Sequence, residues 1–350
     1  MCVDVGQSDG VSNYPMITNN PERRRIIYWR CVMTFFLTSI KYNRQDRHIL
    51  FTNDNEPIII DDHDVKHELE KRGVEIRIMP FTQFNPGSHS RTFRNAFYKL
   101  EVLDALANEK NPSILLDNDC IWSKRDDRLF SLLAEGNYLF LEDTYQRSET
   151  PLRKKPFNLS MKEMGDCFKS IPVLKSYKDY PVWYGGELIG GSPYLFRRIS
   201  EALKKTMAYC ISQSESGNEI VFQNGNSIFH GMELITSYVY NSFDDIDIYD
   251  TQGEFSKRMW TIGWPNNYQE GDITLAIWHV TAEKESGLKR IYYELIKESS
   301  PFWTEPDSDQ AKFLGSFVNI PNKKFLAIYQ VIFRGKELIK SLFRKMNLYN

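Results

Sequence analysis

An α/β fold, with a mostly parallel sheet covered by helices on both faces, is the architecture this sequence predicts. Short apolar runs alternate with longer helical periods from residue 1 to 142. Hydrophobic residues make up 41% of the chain and aromatics 14%, enough to build a core and to exclude global disorder. No internal repeat appears at any solenoid period. Alternation of this kind implies parallel strands with helices packed on either side. Ligands of such sheets bind beyond the carboxyl ends of the strands, so polar residues directly after a strand are the ones to read for chemistry.

Strands are expected over Met1–Val5, His48–Thr52, Val74–Met79, Ser113–Leu116 and Tyr138–Leu141, with helices near 21–41, 62–72, 91–109 and 126–135. The most apolar run, Ile26–Ile40, follows Arg23-Arg24-Arg25 but starts too far in, and lacks the small-residue cleavage site, for a signal peptide. With Arg30 inside it, the run also falls short of the ~20 residues that cross a bilayer. A buried helix opening at Pro21 is expected instead. The 91–109 helix gathers Phe93, Ala96, Phe97, Leu100 and Leu103 on one apolar face.

Residues 143–180 break the rhythm. They are rich in Lys, Arg, Ser and Pro, include Arg153-Lys154-Lys155, and read as a functional lid or a disordered excursion, with weak helical patterning near 161–169. Regular structure resumes with Gly185–Gly191, a helix over 193–211, a turn-rich stretch over 212–227 and a helix over Phe229–Asn241. Strands near 245–250, 259–263 and 272–280 and a helix near 282–298 complete the expected domain. From Lys323, the apolar positions Phe325, Ile328, Tyr329, Ile332, Ile339, Leu342 and Phe343 recur near helical spacing among Lys and Arg residues, with Glu337 the one acid. Such a basic amphipathic helix suits an anionic membrane surface, and docking on the domain with its lysines in water is the other reading.

Charge and cysteines exclude further classes. The 44 basic residues against 46 acidic ones leave no basic excess, which argues against a nucleic-acid partner. Five scattered cysteines form neither a disulfide framework nor a zinc-finger spacing, so a reducing, cytoplasmic location is expected, peripheral at the membrane if the C-terminal helix binds it.

The most informative segment is Ile114-Leu115-Leu116-Asp117-Asn118-Asp119-Cys120. A buried strand ends, and two carboxylates one residue apart stand where ligands bind. Hard oxygen ligands at that spacing can hold Mn²⁺ or Mg²⁺ and leave coordination positions for a diphosphate. A turn with an Asx cap is the plain alternative. Arg91, Asn95 and Lys99, four apart on the preceding helix, would form one polar stripe, serving nucleotide contact or simply solvation. His63 and His67 in Asp61–Glu68 would share a helical face able to bind zinc, although acidic residues entering a helix explain the stretch without metal.

A strand running into Asp117-Asn118-Asp119, preceded by the helix Ser90–Leu100, resembles the GT-A glycosyltransferases, in particular the glycogenin-like and bacterial lipopolysaccharide galactosyltransferase-like members. Lys99 stands where those relatives usually carry arginine. Tyr184–Gly191 is similar to their small-residue strand beside the acceptor. Phe229–Ile235 is similar to the start of their acidic helix, of which only Glu233 keeps the acid. Ile277-Trp278-His279-Val280 with Gly287-Leu288-Lys289 resembles, more loosely, their C-terminal His and diphosphate lysine.

The resemblance implies a catalytic domain over 1–300, with a nucleotide-binding half (1–142), a mobile acceptor loop (143–180) and an acceptor-binding half (181–300), followed by a tail over 301–350. It implies Asp117, Asp119 and His279 as metal ligands. Val5, Gly6, Asn53, Asp54, Arg91, Asn95, Lys99, Asn118 and Lys289 would contact the donor, and Glu187 or Glu233 would act as general base. The expected activity is transfer of a sugar from a nucleotide diphosphate, UDP above all, to a glycan or lipid-linked glycan of a bacterial surface polysaccharide, with retention or inversion left open. A sugar-1-phosphate nucleotidyltransferase would use similar carboxylates and Mg²⁺, but Gly6-Gln7-Ser8-Asp9-Gly10 lacks the basic loop expected there. A non-catalytic glycan-binding descendant is the third reading.

Overall fold

The computed structural model describes residues 2–3, 18, 20–90, 93–142, 158–175, 178–261 and 267–320. The first strand, β1 (Cys2–Val3), precedes α1 (Pro21–Tyr42), which the Asn20 side chain caps by accepting from the Arg23 amide, with Pro21 preset for the first turn. As expected for the apolar run, α1 is buried through Trp29, Val32, Phe36 and Leu37. Next come β2 (Ile49–Thr52), the short pair β3 (Ile59–Ile60) and β4 (His63–Asp64), α2 (Val65–Lys71) and β5 (Glu75–Ile78). After α3 (Tyr98–Leu106) follow β6 (Ser113–Leu116), β7 (Cys120–Trp122), α4 (Asp127–Ala134) and β8 (Tyr138–Glu142).

The second half begins with α5 (Met161–Lys169), whose Ser160 and Glu163 form a reciprocal capping box. Then come β9 (Tyr184–Gly191), α6 (Pro193–Glu215), α7 (Met232–Asn241), β10 (Ile248–Asp250), β11 (Ser256–Arg258) and β12 (Ile277–His279). The described chain closes with α8 (Gly287–Leu295), α9 (Pro301–Thr304) and α10 (Asp307–Phe317). Phe302, Leu314 and Val318 are buried in the same core as α1 and α8, so the chain folds onto the domain as far as Ile320.

The class is mixed α/β, but the strands form small sheets rather than one mostly parallel sheet. One is parallel throughout, in the order β1-β2-β5. A second runs β10-β8-β9-β6, with β9 antiparallel to both neighbours. The third, β11-β12-β7, has β12 antiparallel to β7, and β3 and β4 pair antiparallel on their own. The register pairs Glu142 with Tyr184, so the chain leaves β8 and enters β9 at the same end of the sheet. That return needs no crossover helix and makes the pair antiparallel.

Helices do cover both faces of the second sheet. Along β8, Leu139 and Leu141 enter the core formed with α1, α4 and α8, whereas Tyr138 and Phe140 enter the core formed with α3, α6 and α7. Alternate side chains point to opposite faces, so one strand feeds both cores. The segment near 161–169 is a packed helix with Met164 and Phe168 buried, while 143–157 lies outside the described residues.

Several boundaries differ from expectation. The helix expected over 91–109 is a 3-10 turn, Arg94–Phe97, followed by α3; neither Phe93 nor Phe97 supplies a side-chain cap. The strand expected at 259–263 is β11, shifted toward the N-terminus. Of the strand expected near 272–280 only β12 forms: residues 272–274 belong to a 3-10 turn, Glu270–Thr274, because Gln269 and Asp272 cap each other reciprocally. His63 lies in β4, and α2 begins after Asp64 caps the His67 amide, so His63 and His67 share no helical face and the zinc reading loses its geometry. Among the described residues, no helix is long and apolar enough to cross a membrane. The basic stretch from Lys323 lies outside them.

Candidate functional site

Two strand registers assemble the site. At the end of β6, Leu116 pairs with Leu188, and the Asp117 amide continues the ladder by donating to the Glu187 carbonyl at 3.0 Å. Asp117-Asn118-Asp119 then turns, the Cys120 amide returning to the Asp117 carbonyl at 3.2 Å, and the chain enters β7. In the third sheet, His279 pairs with Cys120 on one side and with Arg258 on the other. The row Arg258–His279–Cys120 therefore lies directly behind the Asp-x-Asp turn. Because side chains alternate along a strand, a slip of one residue in either pairing would send His279 to the opposite face.

The side chains converge accordingly. One ligand atom each from Asp117, Asp119 and His279 lie within 4.8 Å of one another, the one such cluster with metal-holding geometry among the described residues. His279 Nε2 stands 3.1 Å from Asp119 Oδ1 and 3.8 Å from Asp117 Oδ2. On the far side of the ring, Nδ1 faces Glu187 Oε1 at 3.5 Å. A carboxylate behind the second ring nitrogen is the arrangement that orients metal-binding histidines. Two hard oxygens and one imidazole are also suitable donors for Mn²⁺. On these grounds the residues fit a divalent ion.

Cations already surround these carboxylates. Lys99 Nζ is 2.5 Å from Asp117 Oδ1 and donates to the Gly186 carbonyl at 3.0 Å. Lys284 forms a close ion pair with Asp119 Oδ2. Arg258 forks onto Glu187 with contacts of 2.6 and 2.7 Å and reaches Glu233 Oε1 at 2.8 Å. Glu233, in the first turn of α7, also accepts from Trp183 Nε1 at 3.2 Å.

Electrostatics follow from this packing. Burial alone would push the Asp119 carboxyl up, but His279 and Lys284 outweigh it and hold the group well below the usual carboxylate range. Burial likewise opposes ionisation of Glu187, and Arg258 and His279 overcome it, so that carboxyl is also held low. For His279, burial disfavours the imidazolium, yet Asp119 and Glu187 raise it to about 9. Carboxylates thus stand on both sides of the ring and favour its charged form. Burial and the adjoining aspartates push the Cys120 thiol well above its ordinary value, which leaves it an inert neighbour.

The glycines of β9 make room for this network. A Cβ on Gly185 would lie 2.3 Å from Glu187 Oε2 and 3.0 Å from Arg258 Nη2. On Gly186 it would meet Met232 Cε at 2.4 Å and Lys99 Nζ at 3.2 Å. Side chains thus occupy the space beside these two glycines.

Of the residues singled out from the sequence, Asp117, Asp119, His279, Lys99, Glu187 and Glu233 come together. Asn118 is buried in the turn between the two aspartates. Asn95 lies half-buried in the 3-10 turn before α3, so it does not share an α-helical stripe with Lys99. Asp54 is fully buried and holds a structural position: Arg25 grips it at 2.6 and 3.0 Å and Trp29 Nε1 donates at 2.8 Å, with Asn53 half-buried beside it. Lys289 is exposed on α8, whereas Lys284 contacts Asp119. Val5, Gly6 and Arg91 lie outside the described residues.

Arg258, Lys284 and Trp183 are the site residues that sequence reasoning missed. Lys284 had a weak signal in its position one turn past a strand-terminal histidine. Arg258 has none, since the apolar run that announces a strand begins after it, at Met259, whereas β11 ends on it. No protein-family model matches the chain, and no curated protein matches it.

Proposed function

We propose that this protein is a metal-dependent glycosyltransferase of the GT-A type, transferring a sugar from a nucleotide diphosphate, a UDP-sugar first, to a glycan or lipid-linked glycan. The observation that carries the reading is the convergence of Asp117 and Asp119, on a turn directly after a buried strand, with His279 from 160 residues further along the chain. A divalent ion held by these three residues would neutralise the diphosphate as the sugar leaves it.

The chain's own residues support the remaining tasks. Lys99 and Lys284 place positive charge beside the two aspartates, where a diphosphate would develop charge on leaving. Glu187 has both oxygens engaged by Arg258 and is nearly inaccessible, which suits it to position His279 and Arg258. Glu233 is the more accessible carboxylate, with 22% of its side chain exposed. In an inverting transfer it would accept the proton of the acceptor hydroxyl as that oxygen bonds to the sugar carbon and the carbon–diphosphate bond breaks. The basic stretch from Lys323 would bring the enzyme to a lipid-linked acceptor at a membrane surface.

A panel of nucleotide sugars screened by thermal shift with Mn²⁺ tests the reading. A donor at 100 times its dissociation constant stabilises the folded state by about 2.7 kcal/mol, a rise of several degrees in Tm. That rise is expected for at least one UDP-sugar and is expected to vanish in Asp119→Asn. A panel in which no donor stabilises the native protein with Mn²⁺ present would refute the reading.

A further inference from the structure

The carboxylates that would receive a divalent ion already hold a buried cation. Lys284, 5% exposed, directs its ammonium at Asp119 Oδ2 and also donates to the Thr281 carbonyl at 3.4 Å. The other oxygen of Asp119 faces His279. Both oxygens of the most buried acid of the turn are therefore engaged.

The lysine is held in place by its neighbour. Glu283 is fully buried, and its carboxylate accepts from Thr261 Oγ1 at 2.8 Å, Asn319 Nδ2 at 2.7 Å, Ser286 Oγ at 2.5 Å and the Gly287 amide at 2.9 Å. These bonds tie the turn carrying Lys284 to two distant segments, at Thr261 and Asn319, and to the start of α8. The position of the ammonium is thus fixed by the fold and is not one rotamer of a solvated side chain.

We propose that Lys284 is a built-in competitor for the divalent ion: its ammonium occupies the Asp119 oxygen that the ion needs, and the ion enters by displacing it. The inference rests on Asp117, Asp119 and His279 forming a metal site. Charge balance carries it further. Asp117, Asp119, Glu187 and Glu233 already face Lys99, Lys284, Arg258 and the His279 ring, so a divalent ion arriving alone leaves the cluster with an excess of positive charge. The displaced ammonium then needs an anion within reach of its own stem. A diphosphate entering with the ion supplies that anion, and ion and diphosphate therefore strengthen each other's binding, reciprocally. The competition keeps the ion weakly bound until a donor arrives.

Titration calorimetry with Mn²⁺ alone separates the outcomes. Lys284→Met is expected to bind Mn²⁺ about tenfold more tightly than the native protein, with a correspondingly larger Mn²⁺-induced rise in Tm. Lys312→Met, which alters an exposed lysine, should match the native protein. Lys284→Gln keeps a donor for Asp119 without the charge and replaces the methionine variant if that one does not fold; the same tightening is expected. If native protein binds Mn²⁺, loses it in Asp119→Asn, and Lys284 variants bind no more tightly, the competition is overturned while the metal site stands. If neither the native protein nor the Lys284 variants bind Mn²⁺, both readings fall.

Discussion

Replacing Arg258 with methionine tests whether the charge network is a supporting frame for the site. In the native protein the guanidinium makes two parallel contacts to Glu187, whose side chain is 1% exposed, and a third to Glu233. Arg258→Met keeps the aliphatic stem and leaves Glu187 facing only the imidazole of His279, 3.5 Å away. Removing one partner of a buried ion pair costs about 3–5 kcal/mol. The lower end applies here, about 3 kcal/mol, since Arg258 keeps 17% of its side chain in water and His279 remains as partial compensation. Urea unfolding followed by circular dichroism at pH 7 measures the loss, and the double variant Arg258→Met/Glu187→Gln completes a cycle. Neutralising Glu187 removes the stranded charge, so the double variant is expected to recover more than half of the lost stability. A loss below about 1 kcal/mol, the range of exposed pairs, or a double variant no more stable than Arg258→Met, would refute the buried-frame argument.

Other expectations follow from single contacts. Gly185→Ala drives a methyl against the Glu187–Arg258 fork and should cost about 1–3 kcal/mol, whereas Gly253→Ala meets nothing within 4 Å and differs by acting through its positive φ alone. Glu283→Ala strips a buried acceptor from four donors and should lower stability by about 3 kcal/mol, with faster amide exchange at the start of α8. Asp54 gives a pH test. Burial alone would raise its carboxyl, but Arg25 and Trp29 hold it below the ordinary value of 3.8, so the unfolded chain binds that proton first. The stabilisation is complete above about pH 5 and fades as pH falls through 3.8 and below. The stability gap between native protein and Asp54→Asn in urea titrations should therefore narrow between pH 5 and pH 3; a gap that stays constant would contradict the assignment.

The strands and helices were legible where one local rule dominated. Pro21 after Asn20 announces a helix start, and the run Ile114–Leu116 followed by two aspartates marks a strand end with polar residues beyond it. Strand direction was not legible. Runs such as Tyr138–Leu141 are apolar on both faces, so they carry no alternation from which orientation could be read. The start of α3 is illegible for a related reason: the apolar spacing from Phe93 continues through the 3-10 turn, and periodicity does not distinguish the two geometries over so short a stretch.

What the sequence determined alone is the pair of carboxylates after a buried strand, a pattern of adjacent residues that hydrophobic burial sets locally. What only the tertiary structure decided is which groups face that pair. Arg258 and His279 arrive through strand registers, and Lys284 through a turn fastened by Glu283 to segments far along the chain. Those positions depend on how elements pair and pack, and the electrostatic character of the site changes with every such neighbour, because in a buried cluster each charge is screened by its partners and little by water.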